Sequence, residues 1–192
     1  MPYRESVFTS GHYYHIYNRG AGKGRLFFNP GNYHYLLELA GRYYRRYGVR
    51  VIAYCLMPSH YHFLLCQETD EPLSKFINAL FNAYVQAVNN QQNRSGTMFE
   101  GRFRHKWIDR EEYLLHLCRY IHLNPVQAKL ILRPEDWPYS NYLEFIGRRS
   151  CVLGEGSFIS EHFLTPESYH RFVQGYQEND QANGLIGDYV WD

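Results

Sequence analysis

Residues 49–66 read VRVIAYCLMPSHYHFLLC, and this stretch predicts two adjacent antiparallel strands. The runs Val49–Leu56 and His60–Cys66 are rich in β-branched and aromatic residues, and the proline between them lacks the donor that continuous strand pairing needs. His60 and His62 lie two positions apart, so their side chains leave the same face of the second strand. They are therefore candidate ligands of one metal ion, although two half-buried structural histidines would have the same spacing.

The flanking segments alternate between strand and helix patterns. The order strand, helix, strand, strand, helix, strand, helix is typical of a ferredoxin-like α+β sandwich, an antiparallel sheet with helices on one face, here with one added helix. We predict that Asp70 caps the second helix. Asp109 and Glu112 resemble a capping box for the third helix, which Pro125 interrupts. The predicted elements are strand His12–Arg19, helix Tyr33–Tyr47, strands Val49–Leu56 and His60–Cys66, helix Leu73–Val88, strand Phe103–Ile108, the helix after Asp109, and a short helix within Trp137–Gly147.

The composition is that of a globular chain. Its 192 residues are 45% hydrophobic and 18% aromatic, which suits one domain with a sizeable core and excludes a disordered chain. No run approaches the roughly 18 apolar residues of a membrane-spanning helix, and the N-terminus lacks a secretory signal, so we expect a cytoplasmic protein. The four cysteines form no CxxC pair, which argues against a disulfide framework or a zinc ribbon and predicts reduced, mostly buried thiols.

Charge is divided unevenly along the chain. Residues 1–149 hold 19 Lys and Arg against 12 Asp and Glu, whereas residues 150–192 hold one Arg against seven acidic residues. A basic body with interleaved aromatic residues is typical of a nucleic-acid surface, although an ordinary solvated surface has the same balance. We therefore predict a basic domain over residues 1–149 and an acidic C-terminal appendage over residues 150–192. The appendage either keeps the chain soluble or folds over the basic surface and competes with DNA.

Two side chains of the predicted third helix share one surface. At about 100° per residue, Tyr120 lies on the flank of the apolar stripe and Asn124 lies only about 40° from it, whereas His122 points to the other side. A phenol is a poor nucleophile unless a metal ion polarises the phosphate that it attacks, as an ion held by His60 and His62 would do. Tyr120 is therefore a candidate nucleophile, and packing on the helix flank is its alternative role.

Several motifs, taken in order, resemble one protein family. The segment MPSHYHFLL resembles the His-hydrophobe-His motif of the HUH single-strand DNA nucleases, and RYIHLNPVQAKL resembles the tyrosine helix of their single-tyrosine transposase branch. More narrowly, the chain resembles the REP-associated tyrosine transposases, which act on repetitive extragenic palindromes. The resemblance covers about residues 12–147 and includes the motifs YHIYNRG, AYCLMPSHYHFLL, LSKF, MFEGRF and YLLHLCRYIHLNPVQAKL.

The resemblance implies metal-dependent cleavage and rejoining of DNA strands. In this family a divalent ion, Mg²⁺ or Mn²⁺, is bound by the two histidines, here His60 and His62, and by a polar residue of the tyrosine helix, here Asn124. The family tyrosine, here Tyr120, attacks a DNA phosphate to give a 5′-phosphotyrosine intermediate and a free 3′-OH. Related mobile-element enzymes commonly have the longer Gln where Asn124 stands. This difference from their motif concerns the third metal ligand and not the nucleophile.

The resemblance also implies the substrate and the setting. The substrate is a DNA hairpin with a short single-stranded sequence at its foot, and the protein is bacterial and nucleoid-associated, with no membrane partner. It acts either as a monomer or as a homodimer that exchanges tyrosine helices. Basic and aromatic residues beside the motifs are predicted DNA contacts: Arg19, Arg102, Arg104 and Lys106 for phosphates, and Phe103 and Trp107 for stacking on bases. Core packing is the alternative role of the two aromatic residues.

Other functions are compatible with part of this pattern. A catalytically silent hairpin-binding regulator would keep the basic and aromatic surface but would form no covalent adduct with DNA. A zinc hydrolase that used His60 and His62 with a water molecule would be indifferent to Tyr120→Phe, and the lack of an HExxH motif argues against it. A plasmid-type replication initiator would share the histidine pair, but the tyrosine helix resembles the transposase branch more closely.

Overall fold

A four-stranded antiparallel sheet is the centre of the fold. The structure, a computed structural model, describes residues 8–154 and 157–175. The strands lie in the order β2-β3-β1-β4, which confirms the predicted ferredoxin-like α+β sandwich with an added helix. The strands are β1 (Tyr13–Arg19), β2 (Val49–Met57), β3 (His60–Gln67) and β4 (Arg104–Ile108), and the helices are α1 (Pro30–Tyr43), α2 (Leu73–Gln91), α3 (Glu111–Gln127), α4 (Tyr142–Phe145), α5 (Ser157–His162) and α6 (Pro166–Gln174), with 3-10 turns at Ala21–Lys23 and Pro134–Asp136.

The two faces of the central strand β3 carry different side chains. Odd-numbered residues such as Phe63 belong to a first hydrophobic core, which also contains the buried residues of α1 and α2. Even-numbered residues such as Leu64 belong to a second core on the opposite face. Since side chains alternate along a strand, His60 and His62 lie on the same face as Leu64.

The second core lies between the sheet and the helices α3, α4 and α6. Leu117 and Ile121 of α3 and Tyr169 of α6 are all fully buried there. Part of the predicted appendage over residues 150–192 therefore contributes to this core, and the division at residue 150 stays a prediction. Residues 155, 156 and 176–192, which include five of the seven acidic residues of the appendage, lie outside the described residues. The four cysteines are free and three of them are buried, as expected.

Helix α1 begins three residues earlier and ends four residues earlier than predicted. Asn29 precedes the helix and its side chain accepts a hydrogen bond from the Asn32 N–H at 3.1 Å, with Pro30 in the first helical position. This cap fixes the start because it satisfies a donor that the helix itself leaves unpaired. At the other end the chain turns at Gly48, whose φ of 57° lies in the left-handed region that glycine adopts easily.

The predicted caps of α2 and α3 are wrong. Pro72 occupies the N-cap position of α2, and the Leu73 N–H donates to the side-chain carbonyl of Gln67 at 2.8 Å instead of to Asp70. Helix α3 follows Arg110 with no side-chain cap, so the capping box predicted before it is not formed. In both cases the sequence contains a residue type that caps helices, but the helix begins at another position. Among the described helices, none is long and apolar enough to cross a membrane.

Pro125 does not end α3, contrary to the prediction. The helix continues to Gln127, and beyond it the Ala128 N–H donates to the Asn124 carbonyl at 2.9 Å. Proline removes one hydrogen bond of the helix, but Ile121 and Leu123 before it are buried and hold this turn in place. Asn124 therefore keeps its helical position.

The short helix predicted within Trp137–Gly147 is confirmed. It is the single-turn helix α4, and a 3-10 turn at Pro134–Asp136, which was not predicted, precedes it. The Trp137 indole N–H donates to the Leu56 carbonyl of β2 at 3.1 Å. Hydrogen bonds to the edge strand β2 therefore hold this segment against the sheet.

Candidate metal and tyrosine site

Four predicted residues meet between β3 and α3. Nε2 of His60 lies 3.0 Å from Oδ1 of Asn124, and Nδ2 of Asn124 lies 3.5 Å from Nε2 of His62. The ring centroids of Tyr120 and His62 are 5.6 Å apart and the two rings are nearly perpendicular. These four residues are called the histidine-tyrosine site below.

Local geometry explains why the four side chains meet. The β3 residues share one face by strand alternation, and Tyr120 and Asn124 lie about one turn apart on the surface of α3. Ile121, next to Tyr120, is fully buried in the second core and sets which side of the helix faces the sheet. The amide of Asn124 therefore reaches both imidazoles at once.

Hydrogen bonds orient both imidazole rings. Nδ1 of His60 lies 3.2 Å from the hydroxyl of Ser59, and Nδ1 of His62 lies 2.9 Å from Nε2 of His15. Each ring therefore has one nitrogen held by a neighbouring side chain, while its Nε2 faces Asn124. Metal-binding histidines are arranged in this way, because the group on the second nitrogen fixes the tautomer and the ring orientation.

Both imidazoles are kept neutral by their surroundings. Burial lowers the pKa of His60, and its hydrogen bond with Asn124 offsets part of that effect. Burial lowers the pKa of His62 well below its ordinary value, and the nearby His15 and His60 lower it further. A neutral imidazole offers a lone pair to a metal ion, whereas a protonated one does not.

The chemistry of these donors fits a divalent ion. Within residues 8–154 and 157–175, no three His, Cys, Asp or Glu side chains come together as a metal cluster, so the third group here is the amide of Asn124. Two imidazole nitrogens and a carbonyl oxygen are ligand types that divalent cations accept, and water or substrate oxygens complete such sites. The Asn124 amide lies within hydrogen-bond distance of both Nε2 atoms, its oxygen near His60 and its nitrogen near His62, so the three side chains lie together.

His15 and Tyr17 extend the site along β1, although no sequence pattern marked them as site residues. His15 is fully buried, and its ring lies 4.7 Å from the Tyr17 ring and 5.2 Å from the His62 ring. Tyr17 also forms a side-chain hydrogen bond with Arg104 of β4, although burial still raises the pKa of its hydroxyl. Strand alternation would have placed His15 and Tyr17 on one face, but only the pairing of β1 with β3 places them beside His62.

Arg19 is held by an acidic partner. Its guanidinium donates two hydrogen bonds to the Glu100 carboxylate, at 2.5 and 2.7 Å, and these bonds lower the pKa of Glu100. Arg19 pairs with His60 in the β1–β3 register, so this ion pair lies beside the histidine-tyrosine site. Any anionic ligand at this position would have to compete with Glu100 for the guanidinium.

Three further predicted DNA contacts lie on the edge strand β4. Arg104 and Lys106 are exposed, and they share a strand face with Ile108, which belongs to the second core. Trp107 is 52% exposed, and its ring lies 5.3 Å from that of His12. Two positive charges therefore lie on the site side of the sheet, of which Arg104 is also bonded to Tyr17, and one indole is exposed.

Arg102 and Phe103 line a groove on the opposite side of the sheet. The groove has a volume of about 1390 Å³ and lies between α2 and the loop before β4. Its walls combine aromatic rings with side-chain amides, a composition that the sequence patterns did not predict. Besides Arg102 and Phe103, its lining includes Phe81, Phe99, Asn78, Asn82, Gln86 and Asn89.

Comparisons with known proteins agree with this fold. The chain is similar to a solved REP-associated tyrosine transposase bound to a REP hairpin, with a TM-score of 0.65 and 20% identity over 77% of this chain and 86% of that one. Weaker likenesses are to a candidate transposase from Deinococcus radiodurans R1 (TM-score 0.43, 16% identity, 63% of this chain and 95% of that one) and to tRNA(His) guanylyltransferase from Saccharomyces cerevisiae (TM-score 0.45, 13% identity, 95% and 80%). None of the curated protein sequences matches the chain.

The family itself is shown by a sequence model. The model described as "Transposase IS200 like" matches residues 8–124, from before β1 to Asn124. The match covers more than half of the chain and includes all four residues of the histidine-tyrosine site, and the predicted resemblance to the transposases is confirmed. The chain therefore belongs to the IS200-like family of DNA transposases.

Proposed function

We propose that this chain is a metal-dependent endonuclease and strand transferase that cleaves single-stranded DNA beside a hairpin, with Tyr120 as its nucleophile. The observation that carries the proposal is the position of Tyr120 against the His62 ring while Asn124 bridges both histidines. Membership of a family of DNA transposases supports the reaction class. The fold shared with a transposase bound to a REP hairpin supports the hairpin as the kind of substrate.

The chemical step conserves the energy of the phosphodiester bond. The hydroxyl oxygen of Tyr120 attacks phosphorus, a new P–O bond forms, and the bond from phosphorus to the 3′-oxygen of DNA breaks. The phenol proton is finally carried by that 3′-oxygen, and the 5′-phosphate stays on the tyrosine. A 3′-OH can then reverse the step without an external energy source.

His60, His62 and Asn124 would hold the divalent ion, Mg²⁺ or Mn²⁺. When bound, the ion would polarise the scissile phosphate and stabilise the charge that develops on it. The chain's own contribution is orientation, because Ser59 and His15 hold the outer nitrogens of the two rings. Asn124 would present its carbonyl oxygen to the ion.

The proposed DNA surface follows β4 and the loop before it. Arg104 and Lys106 offer phosphate contacts on the side of the histidine-tyrosine site, and Arg102 offers one on the groove side. Trp107 and Phe103 offer stacking partners for unpaired bases. Arg19 would join this surface when a phosphate displaces Glu100.

The decisive experiment is a test for a covalent protein–DNA adduct. Labelled hairpin oligonucleotides with a single-stranded foot, taken from the palindromic repeats of the source genome, are incubated with the protein and Mn²⁺ or EDTA. On a denaturing gel we expect a labelled protein band that needs Mn²⁺ and disappears in Tyr120→Phe. Tyr113→Phe is the matched control, because it removes another hydroxyl from the same helix and leaves the band intact.

The same experiment separates the proposal from a catalytically silent hairpin-binding regulator. A hairpin shift on a native gel with no covalent band in Mn²⁺ would favour that regulator and contradict the role of Tyr120. A band of equal strength in Tyr120→Phe would show that another residue is the nucleophile.

Metal binding is tested without DNA. We expect Mn²⁺ affinity, measured by electron paramagnetic resonance, to fall about tenfold or more in His60→Ala because one of three donors is lost. His34→Ala removes an exposed histidine of α1 and serves as the control. Equal Mn²⁺ affinities in the two variants would contradict the proposed ligand set.

A further inference from the structure

The side of α3 that faces away from the histidine-tyrosine site carries a buried chain of hydrogen bonds. Nε2 of His122 lies 2.9 Å from Oδ1 of Asn141, and Nδ1 of His122 lies 2.6 Å from the hydroxyl of Tyr169 on α6. Asn141 also accepts from the Tyr54 N–H at 2.8 Å and donates to the Ile52 carbonyl at 2.9 Å, both on β2. The three side chains of Asn141, His122 and Tyr169, called the His122 chain below, therefore connect β2, α3 and α6.

The ends of the His122 chain determine which groups donate. Nδ2 of Asn141 donates to β2, so its Oδ1 accepts from the Nε2–H of His122. Nδ1 of His122 is then an acceptor, and the Tyr169 hydroxyl donates to it. Burial lowers the pKa of His122 to about 4 and raises the pKa of Tyr169 well above its ordinary value, so both keep these protonation states at neutral pH.

Helix geometry links the His122 chain to the other side of α3. His122 lies about 200° around the helix from Tyr120 and from Asn124, which are about 40° apart. A rotation of α3 that moves Tyr120 and Asn124 away from the histidines must therefore also break the His122 chain. A second contact joins α3 and α6: the guanidinium of Arg119 on α3 lies 4.6 Å from the ring centroid of Phe172 on α6.

We propose that Tyr169 is a positioning residue for the reaction of Tyr120. Its hydroxyl, acting through His122, holds α3 in the rotation that keeps the tyrosine and the amide at the two histidines. This inference rests on the proposed function. A residue of the acidic C-terminal segment would then contribute to cleavage, a role that the charge of this segment does not predict.

The variant Tyr169→Phe removes the hydroxyl and keeps the ring, which lies 4.8 Å from that of Phe145 in the second core. Tyr142→Phe is the matched control. The Tyr142 side chain is equally buried, and its hydroxyl forms a hydrogen bond with Nδ1 of His170 on α6 at 2.7 Å. Only its ring, which the variant keeps, faces α3, 5.5 Å from the ring of His122. Each variant loses one buried hydrogen bond, and we expect each to melt about 3 °C below wild type.

Two measurements separate positioning from stability. The first is the single-turnover rate of the covalent adduct at saturating hairpin, which we expect to fall about tenfold in Tyr169→Phe and to stay within about twofold of wild type in Tyr142→Phe. The second is hydrogen exchange of residues 119–127, which we expect to be faster in Tyr169→Phe alone. Hairpin affinity is expected to be the same in all three proteins.

Equal rates in the two variants, or wild-type exchange of residues 119–127 in Tyr169→Phe, would overturn the inference. If wild-type protein forms no adduct with any hairpin, the proposed function fails. Hydrogen exchange then decides by itself whether Tyr169 holds α3, because it needs neither DNA nor metal.

Discussion

Acidification is expected to destabilise this protein, and one measurable contribution comes from the buried imidazole of His122. Its pKa is lowered to about 4, first by burial and further by the charge of Arg149, while the hydrogen bond to Asn141 opposes the shift. In the unfolded chain the same group titrates near the ordinary value of about 6.5. Between these two pH values the unfolded state binds a proton that the folded state does not, so the stability present at neutral pH is lost as the pH falls.

The size of this effect follows from the two pKa values. Lowering the pH from about 7.5 to about 5 carries the unfolded-state imidazole about 1.5 units below its pKa, while the folded-state imidazole stays mostly neutral. At 1.36 kcal/mol per unit, His122 alone removes about 2 kcal/mol from the free energy of unfolding. With a urea m-value of about 2 kcal/mol/M, the midpoint moves by about 1 M.

The assay is urea unfolding of wild type and His122→Gln at the two pH values. Gln keeps a donor and an acceptor but cannot titrate, so we expect its loss of stability on acidification to be about 2 kcal/mol smaller than that of wild type. His60 and His62 have lowered pKa values too, but they titrate in both proteins and cancel in the comparison. Equal losses in the two proteins would show that His122 is not the neutral buried group described above.

Other perturbations test the remaining contacts. Glu100→Gln removes the negative charge that competes with a phosphate for Arg19, so we expect hairpin affinity at low salt, measured by fluorescence anisotropy, to rise about threefold; unchanged affinity would contradict the competition. Asn141→Ala leaves three buried polar groups without partners, so urea unfolding is expected to show a loss of about 3 kcal/mol, and a loss below about 1 kcal/mol would contradict the bonds described. Trp107→Ala is expected to weaken binding of the single-stranded foot about fivefold without changing the melting temperature, since the indole is exposed; a lower melting temperature would indicate core packing. Truncation after Ser150 removes α6 from the second core, so calorimetry is expected to show a lower melting temperature, whereas higher hairpin affinity in a stable truncated chain would support an inhibitory tail.

The predictions that were confirmed depended on short-range geometry. Alternation along β3 placed His60 and His62 on one face, and helical spacing placed Tyr120 and Asn124 on one surface. Each relation spans at most one turn or two strand positions, so backbone geometry alone enforces it. The prediction that Pro125 interrupts α3 was wrong because a long-range effect decided the outcome. Burial of the residues around Pro125 outweighed its local preference to end the helix.

The residues that were missed act across long sequence separations. His15 meets His62 only because β1 pairs with β3, and nothing local to YHIYNRG specifies that partner. Asn141 and Tyr169 reach His122 from segments 19 and 47 residues further along the chain. No periodic pattern encodes these contacts, since each depends on where a whole element packs.

By itself the sequence determined the order of strands and helices, the face on which each candidate side chain lies, and the family resemblance carried by the motifs. These follow from periodicities of two and 3.6 residues and from residue types at fixed spacing. Only the tertiary structure decided that the histidine face of β3 meets the Tyr120 and Asn124 surface of α3. It also decided that Glu100 holds Arg19 and that the C-terminal helix α6 packs on α3. Those outcomes depend on the burial of apolar surface between distant segments, which selects one arrangement of elements among several that the local patterns allow.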